Sequence, residues 1–449
     1  MQKLFSEFNP TTPQQWKEQL VKDLKGVDFN QLIWHTQNGF DINPFYTAED
    51  ITTPKAPVFS HSDWDICEHI MVDDEKSANE RALKALQGGA SGLIFFVSKK
   101  VNTAVLLKDI SIEHIYTQFF ITFDAISIID DLKPYLGKVN STDGKLKTVI
   151  HLDPLCWLVF NGGWHKTQVE DLSAIANLPH IPVNGTLYQE SGANTVNELA
   201  ITLAHLNEYL NYLSEQQKLS NQTIHALFSV GSDFFNEIAK LRAAKKLIEL
   251  LVSQYQAKLS LHIHAQTTQI NTSSLDAYNN MLRSTTEAMS AVLGGCNSLN
   301  IFPYNFIYEN TSDFSNRIAR NQQHVLKEES YLNKMADVSA GSYYIETITD
   351  TLAKKAWEQF KEIEKRGGFI ACLKSNYIQD LIAADAKATE AKVQAGEIVL
   401  VGVNKFQNKN ETIKVSQEMP SASGNEIKAI RPIRFSLAFE KQFATAEKI

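Results

Sequence analysis

The sequence contains little of what builds disulfide frameworks or metal clusters. Its 449 residues include four scattered cysteines and no CxxC pair, and its 12 histidines are not clustered at ligand spacing. The cysteines are Cys67, Cys156, Cys296 and Cys372. We therefore expect reduced and mostly buried thiols, as in a protein of the cytosol, and we predict no metal site.

Signals for export, membranes and nucleic acids are missing too. Residues 1–10 have no basic n-region and no apolar h-region, and a run of about 18 apolar residues occurs nowhere in the chain. These absences predict a cytoplasmic protein with no membrane partner. Lys and Arg number 43 against 51 Asp and Glu, and the net charge of −8 argues against a nucleic-acid partner.

The chain does have apolar residues for a large core, 43% of the total, and a regular series of short β-type runs. From residue 90 onward there are eight such runs, most of them separated by helical stretches. They are Gly92–Val97, Thr103–Leu107, Phe119–Phe123, Thr148–Leu152, Ile181–Asn184, Ala226–Val230, Leu259–His264 and Ser298–Phe302. Because a (β/α)8 barrel of the TIM type needs eight strands, we predict an α/β fold built on this barrel.

Three parts are predicted along the chain: an N-terminal arm at 1–55, a (β/α)8 pseudo-barrel at 56–312, and a helical extension with a linker tail at 313–449. The arm has one clear helix, from Pro13 to Leu24, and few other periodic apolar positions. Since so few apolar residues cannot form a core of their own, we expect the arm to wrap a neighbouring surface. Amphipathic helices between the later strands are predicted from apolar residues at three- and four-residue spacing, at 194–216, 233–255 and 276–293.

The most informative stretch runs from Ser315 to Phe369. It has the pattern of a helix, a turn, and a second long helix that ends at Gly367-Gly368, the expected left-handed stop. The motifs Arg-Ile-Ala-Arg-Asn, Glu-Glu-Ser, Gly-Ser-Tyr-Tyr-x-Glu, Ala-Trp and Ile-Glu-x-x-Gly-Gly follow in this order. This order resembles the methylmalonyl-CoA mutase family of adenosylcobalamin enzymes. Similar agreement extends over most of the chain and is weak only at about 59–179.

The resemblance implies what a catalytic member would need. Such a member binds adenosylcobalamin through a C-terminal flavodoxin-like domain, in which the histidine of an Asp-x-His-x-x-Gly motif coordinates cobalt. It holds the acyl-CoA thioester with a Tyr-His pair and threads the CoA arm along the barrel axis. No Asp of this chain is followed two residues later by His, and the chain ends where that domain would begin. We therefore expect no flavodoxin-like domain and no cofactor bound by this chain.

The Tyr-His pair is also altered. Where catalytic relatives have Gly-Tyr-His before Gln-Glu-x-Gly-Ala, this chain has Gly185, Thr186, Leu187, Tyr188 and Gln189. The family's histidine donates a hydrogen bond to the thioester carbonyl; leucine has no donor, and threonine cannot replace the tyrosine ring. An alternative is that the alignment is shifted by one residue. Gly185 and Gln189 argue against this shift because they match the family on both sides. On a strand, Tyr188 would also point to the opposite face of the sheet. Thr186 and Leu187 are thus interpreted as degenerate site positions, and no catalytic residue is predicted.

Part of the family's site is predicted to survive as a relic. Strand alternation places Ser260, His262, His264 and Gln266 on one face, and His264-x-Gln266-Thr resembles the family's His-x-Gln-Thr. We interpret His264 and Gln266 as a relic pocket whose groups hydrogen-bond inside the barrel. Bulky side chains at or near the substrate positions further predict a plugged barrel axis. These are Leu187, Tyr188, Ile301 and Phe302.

Together these features imply a non-catalytic small (beta) subunit of an adenosylcobalamin-dependent methylmalonyl-CoA mutase. A homologous large subunit would bind adenosylcobalamin and interconvert methylmalonyl-CoA and succinyl-CoA. This chain would pack against it as a heterodimer and exchange N-terminal arms with it. Two alternatives stay open: an active acyl-CoA mutase subunit that uses a separate cobalamin-binding chain, and a CoA-ester binding or regulatory module.

Overall fold

A computed structural model describes residues 7, 9, 11–51, 58–136, 147–220, 222–309, 312–408 and 424–446. The predicted boundary between arm and barrel, at residues 55 and 56, lies outside the described residues. The same is true of residues 409–423 in the predicted linker tail.

The N-terminal arm begins with a capped helix, α1 (Pro13–Asp23), where the sequence predicts one. The Oγ1 of Thr12 accepts a hydrogen bond from the Gln15 backbone N–H at 3.2 Å, and the Gln15 side chain accepts one from the Thr12 N–H at 2.9 Å. This reciprocal pair satisfies two backbone donors that the first turn leaves free. None of the residues of α1 is buried, so the helix contributes nothing to the core of this chain.

A two-stranded hairpin follows, made of β1 (Trp34–His35) and β2 (Asp41–Ile42), which pair antiparallel. Asn38, between the two strands, attaches the arm to the barrel. Its amide nitrogen donates to Asn236 Oδ1 at 3.0 Å, and its oxygen accepts from the Thr195 N–H at 2.9 Å. The hairpin, unlike α1, is therefore fastened to the body of the chain.

Eight parallel strands form a nearly closed barrel, in the order β6-β5-β4-β3-β10-β9-β8-β7 along the sheet. The strands are β3 (Asp65–Met71), β4 (Gly92–Val97), β5 (Tyr116–Ile121), β6 (Thr148–His151), β7 (His180–Asn184), β8 (Thr223–Val230), β9 (Ser260–Thr267) and β10 (Ser298–Asn300). At the seam between β6 and β7, His180 Nε2 lies 2.6 Å from the Ile150 carbonyl oxygen, and the Asn184 N–H donates to Asp153 Oδ2 at 2.8 Å. The predicted (β/α)8 fold is confirmed.

Helices alternate with these strands and pack against the outside of the barrel. They are α2 (Glu75–Gln87), α3 (Thr103–Leu106), α4 (Ile128–Leu132), α5 (Pro154–Asn161), α6 (Gln168–Ser173), α7 (Thr186–Glu190), α8 (Thr195–Glu215), α9 (Phe234–Val252) and α10 (Asn279–Leu293). The long helices α8, α9 and α10 match the three predicted from periodicity. Each of the three differs from its predicted bounds by no more than a turn.

Seven of the predicted strands are present, but the one at Thr103–Leu107 is wrong. That segment forms α3, because the Asn102 side chain caps a helical turn by accepting from the Ala104 N–H at 3.1 Å. The missing strand is β3, whose polar residues interrupt the apolar pattern that marks a strand. Its Glu68 is accommodated by an ion pair with Arg320, a partner that is distant in sequence.

A helical extension follows the barrel, as predicted. It consists of α11 (Asp313–His324), a π-helical turn at Val325–Glu329, α12 (Tyr343–Lys365), α13 (Gly368–Lys374), α14 (Tyr377–Gln394) and α15 (Leu437–Ala446). The predicted stop after α12 is confirmed, since Gly367 and Gly368 have φ angles of 102° and 88°. Within the described ranges, none of the helices combines the length and apolar character that crossing a bilayer requires.

Buried ion pairs fasten α9 to its neighbours. The fully buried Lys240 lies with its Nζ 3.0 Å from Glu198 Oε2 of α8 and 2.6 Å from Glu237 Oε2 of its own helix. Two residues further on, the buried Arg242 pairs with Glu346 of α12 at 2.6 Å. Because an unpaired buried charge is costly, each of these helices depends on the charged groups of the others.

Candidate functional site

The two predicted degenerate positions lie in α7, a single helical turn after β7. The Thr186 hydroxyl donates to Asn184 Oδ1 at 2.6 Å, and the same oxygen accepts from the Thr186 N–H at 3.1 Å. Leu187 is buried in the apolar core that the barrel shares with its helices. The hydroxyl is therefore already engaged within the chain, and the leucine side chain has no group that could donate to a thioester carbonyl.

Tyr188 is not on a strand, so the predicted reason for its orientation is wrong: it belongs to the helical turn α7. Its hydroxyl lies 2.9 Å from Nδ1 of His205, and Nε2 of the same ring lies 3.0 Å from Asp153 Oδ1. Burial alone would raise the pKa of Asp153, but His205 and the Tyr209 hydroxyl lower it to about 2. This buried chain of polar groups anchors α7 to α8.

The polar face of β9 is turned toward the barrel lumen, as alternation predicts. Nε2 of His262 and Nδ1 of His264 lie 2.9 and 2.8 Å from the Ser298 hydroxyl of β10. The Gln266 amide donates to the Ser229 hydroxyl of β8 at 3.2 Å. The structure thus brings the two residues of the predicted relic pocket, His264 and Gln266, to one side of the lumen, where each has a partner within the chain.

A tyrosine that the sequence analysis missed crosses the lumen. Tyr116 of β5 stacks on His262 of the opposite strand β9, with ring centroids 5.0 Å apart and an interplanar angle of 7°. Its hydroxyl donates to Gln118 Oε1 at 3.0 Å and lies 2.7 Å from His225 Nε2. The alternation of Tyr116, Gln118 and Phe120 along β5 could have indicated a second inward-facing side. This strand was overlooked because it lies in the part of the chain where the family resemblance is weak.

Side chains fill the barrel axis, but only one of the four residues predicted to plug it does so. Phe302 does reach the upper end, where its ring centroid lies 5.8 Å from that of His69 and 4.6 Å from that of Phe306. The other three face the apolar core outside the strands, because α7 is helical and β10 ends at Asn300. These three are Leu187, Tyr188 and Ile301.

Several histidines of the barrel have lowered pKa values. Burial is the main cause, and it lowers the pKa of His69 and of His151 to about 4. It also lowers the pKa of His225 and His264 well below the usual range, and neighbouring histidines lower these two further.

A lateral cavity of about 830 Å³ opens at the carboxyl ends of the strands, between the starts of α8, α9 and α10 and the arm hairpin. Next to it lies Glu287 of α10, which is buried and accepts from the Asn271 amide at 2.7 Å. Burial raises the pKa of Glu287 to about 8, although the bond from Asn271 opposes the rise. Sequence periodicity placed Glu287 on a helix but gave no sign that its carboxyl group would be enclosed.

A sequence profile described as methylmalonyl-CoA mutase matches residues 97–447. The chain belongs to the methylmalonyl-CoA mutase family. It is 34% identical to the methylmalonyl-CoA mutase small subunit of Porphyromonas gingivalis, over 97% of this chain and 76% of that protein. It is 27% identical to the methylmalonyl-CoA mutase of Rhizobium meliloti, over 89% of this chain and 64% of that protein. The methylmalonyl-CoA mutase large subunit of Streptomyces virginiae is also 27% identical, over 94% of this chain and 66% of that subunit.

Within the barrel, the stacked rings of Tyr116 and His262 occupy the lumen. The sequence also lacks the motif whose histidine coordinates cobalt. Across the part of the chain that the structure describes, no flavodoxin-like unit is seen, and no group of three or more His, Cys, Asp or Glu is arranged to hold a metal ion.

Proposed function

We propose that this chain is a non-catalytic, structural subunit of an adenosylcobalamin-dependent methylmalonyl-CoA mutase. A homologous large chain binds the cofactor and interconverts methylmalonyl-CoA and succinyl-CoA. This chain supplies a pseudo-barrel that packs against the large chain in a heterodimer, in the cytoplasm. Its similarity to the small subunit of Porphyromonas gingivalis supports the assignment.

The observation that carries the proposal is the filled lumen. Tyr116 from one side of the barrel stacks on His262 from the other, and both rings are buried. An acyl-CoA arm could enter only if these rings moved, and moving them would break the bond between the Tyr116 hydroxyl and Gln118. Buried polar groups without partners are costly, so the closed arrangement is favoured. Leu187 adds support, because it faces the apolar core and has no group that could polarise a thioester.

The direct test is an activity assay with the purified chain. With methylmalonyl-CoA and adenosylcobalamin it should show no turnover above buffer. Addition of the large chain from the same organism should give turnover and a complex that migrates as one species in sedimentation. Turnover by the purified chain alone would refute the assignment. Turnover by this chain together with a separate cobalamin-binding chain, without the large chain, would favour the active-subunit alternative.

A CoA-ester binding module is a second candidate, and one observation favours it. Both ring nitrogens of His151 and Nε2 of Gln118 are buried without a hydrogen-bond partner among the described residues. Such groups could bind a polar ligand after the rings rearrange. Titration calorimetry of the purified chain with CoA and methylmalonyl-CoA distinguishes the candidates: the structural subunit gives no heat of binding, whereas a binding module gives saturable heat.

A further inference from the structure

Three carboxylates line the lateral cavity: Glu198 in the first turn of α8, and Asp233 and Glu237 at the start of α9. Glu198 and Glu237 are only 1% and 5% exposed, and both pair with the one ammonium group of Lys240. Among the described residues Asp233 forms no ion pair, and burial, followed by the Glu237 charge, raises its pKa to about 6. The three carboxylates therefore have a single ion-pair partner between them.

Two oxygens of the cavity lining also lack a donor. Oε1 of Glu198 and Oδ1 of Asn271 are buried without a hydrogen-bond partner among the described residues, and Asn271 is 6% exposed. The orientation of the Asn271 amide is fixed, because its nitrogen donates to Glu287 at 2.7 Å. Buried acceptors without donors are costly, so a ligand that carries N–H groups would stabilise them.

The carboxylates and the two unpartnered oxygens belong to one wall of the cavity. The loop between β8 and α9 joins them. Glu237 Oε1 lies 3.4 Å from the place that a Cβ on Gly231 would take, and the hydroxyl of the next residue, Ser232, accepts from the Asn271 amide. Glu198 is held to Glu237 through the ammonium group of Lys240, which lies 3.0 and 2.6 Å from the two carboxylates.

The outer part of the cavity is apolar. Leu282 of α10 is 69% exposed, Trp34 of the arm hairpin 50%, and Val399 40%. Further apolar side chains of the lining are Ile270, Leu400 and Phe435. Sites for small molecules enclose about 300–1,000 Å³ and combine apolar walls with a few polar groups that fix orientation. The cavity, at about 830 Å³, has this size and this division.

We propose that the lateral cavity binds a small organic ammonium ion with an apolar body, a ligand that the proposed mutase function does not involve. The N–H groups of the ligand supply the donors that Glu198 and Asn271 lack, and its charge offsets that of Asp233. The apolar body covers the exposed side chains at the opening. No bond of the ligand is made or broken at this site.

An anionic ligand fits the cavity less well. Arg283 lines the cavity, but its guanidinium group already donates to Asn280 Oδ1 and to the Val401 carbonyl oxygen. The second cation of the lining, Lys392, is accompanied by the carboxylate of Glu397. An added anion would therefore meet the carboxylates of the wall without a cation that is available to it.

The test is titration calorimetry of the full chain at pH 7 with three probes that share one apolar body. Hexylammonium chloride carries the proposed charge, hexanoate carries the opposite charge, and 1-hexanol carries none. Hexylammonium should bind saturably, and the other two probes should bind at least about tenfold more weakly. The measurement needs only this chain, so its failure and the failure of the proposed function are distinguishable.

Asp233→Asn keeps the shape of the side chain, removes its charge, and should weaken hexylammonium binding about tenfold. The matched control is Asp380→Asn, at an exposed position of α14 outside the cavity, which should bind like the native chain. Circular dichroism establishes that each variant is folded. Should Asp233→Asn not fold, Leu282→Lys replaces it and should weaken binding by adding a positive charge at the opening; Val169→Lys, 74% exposed on α6, is its control.

Equal binding of the three probes would overturn the proposal, because the carboxylates would then not recognise the ligand. Stronger binding of hexanoate would overturn it as well, since the cavity would then accept an anion. The absence of saturable heat with hexylammonium up to about 10 mM would show that the cavity is not a site for this class of ligand. Equal weakening by Asp233→Asn and Asp380→Asn would place the binding outside the cavity.

Discussion

Replacing Glu287 by Gln should change how the stability of this protein depends on pH. Glu287 is 1% exposed, and burial raises the pKa of its carboxyl group from 4.5 to about 8. Gln has the same shape, can still accept the bond from Asn271, and cannot ionise. A comparison of the two proteins therefore isolates the free energy of enclosing this one carboxyl group.

The sign follows from proton linkage. The folded pKa lies above the unfolded one, so the stabilisation by the protonated form is complete below pH 4.5 and is lost as the pH rises through about 8. Between these two pH values, the titration of Glu287 should lower the free energy of unfolding of the native protein by about 1.4 kcal/mol per pH unit. The unfolding free energy of Glu287→Gln minus that of the native protein should thus rise by about 2.5 kcal/mol between about pH 5.5 and 7.5, and level off above about pH 8.

The assay is urea unfolding followed by circular dichroism at several pH values, with both proteins in the same buffers. Contributions from titrating groups that do not interact with Glu287 cancel in the difference. The control is Glu358→Gln on the exposed face of α12, where the carboxylate lies in water. A difference for Glu287→Gln that stays constant within about 0.5 kcal/mol across this range would show that the carboxyl group is not enclosed as described.

Other expectations concern the site, the core and the arm. Thr186→Tyr combined with Leu187→His should give no turnover with methylmalonyl-CoA and adenosylcobalamin, because the cobalt-binding motif is still missing; activity in a spectrophotometric assay without the large chain would contradict this. Lys240→Met should cost about 3–5 kcal/mol of stability, since it leaves two buried carboxylates unpaired, whereas Lys354→Met on the exposed face of α12 should leave the melting temperature nearly unchanged. Removal of residues 1–27 should leave the circular dichroism spectrum of the barrel unchanged, because none of the residues of α1 is buried. The truncated chain should bind the large chain more weakly in a titration. Unchanged affinity would exclude α1 from the contact with the large chain.

The strand pattern shows where sequence reasoning works and where it fails. Seven strands were predictable because each contains a short run of apolar residues, continuous or alternating with polar ones, as is typical of strands. β3 was not predictable in this way, since Glu68 interrupts its run and is tolerated only through Arg320, an ion-pair partner 252 positions away. Thr103–Leu106 failed for the opposite reason: four apolar or β-branched residues resemble a strand, but the Asn102 cap makes them a helical turn.

The sequence by itself determined the family, the (β/α)8 class and the absence of the cobalt-binding and Tyr-His motifs, because each is recorded in residue identity and local order. Only the tertiary structure decided what fills the barrel. Tyr116 and His262 belong to opposite strands and meet through the closure and stagger of the whole sheet, which no local period encodes. Leu187 and Tyr188 face the apolar core because they lie in the helical turn α7 rather than on a strand. Glu287 is enclosed because α10 packs against the barrel.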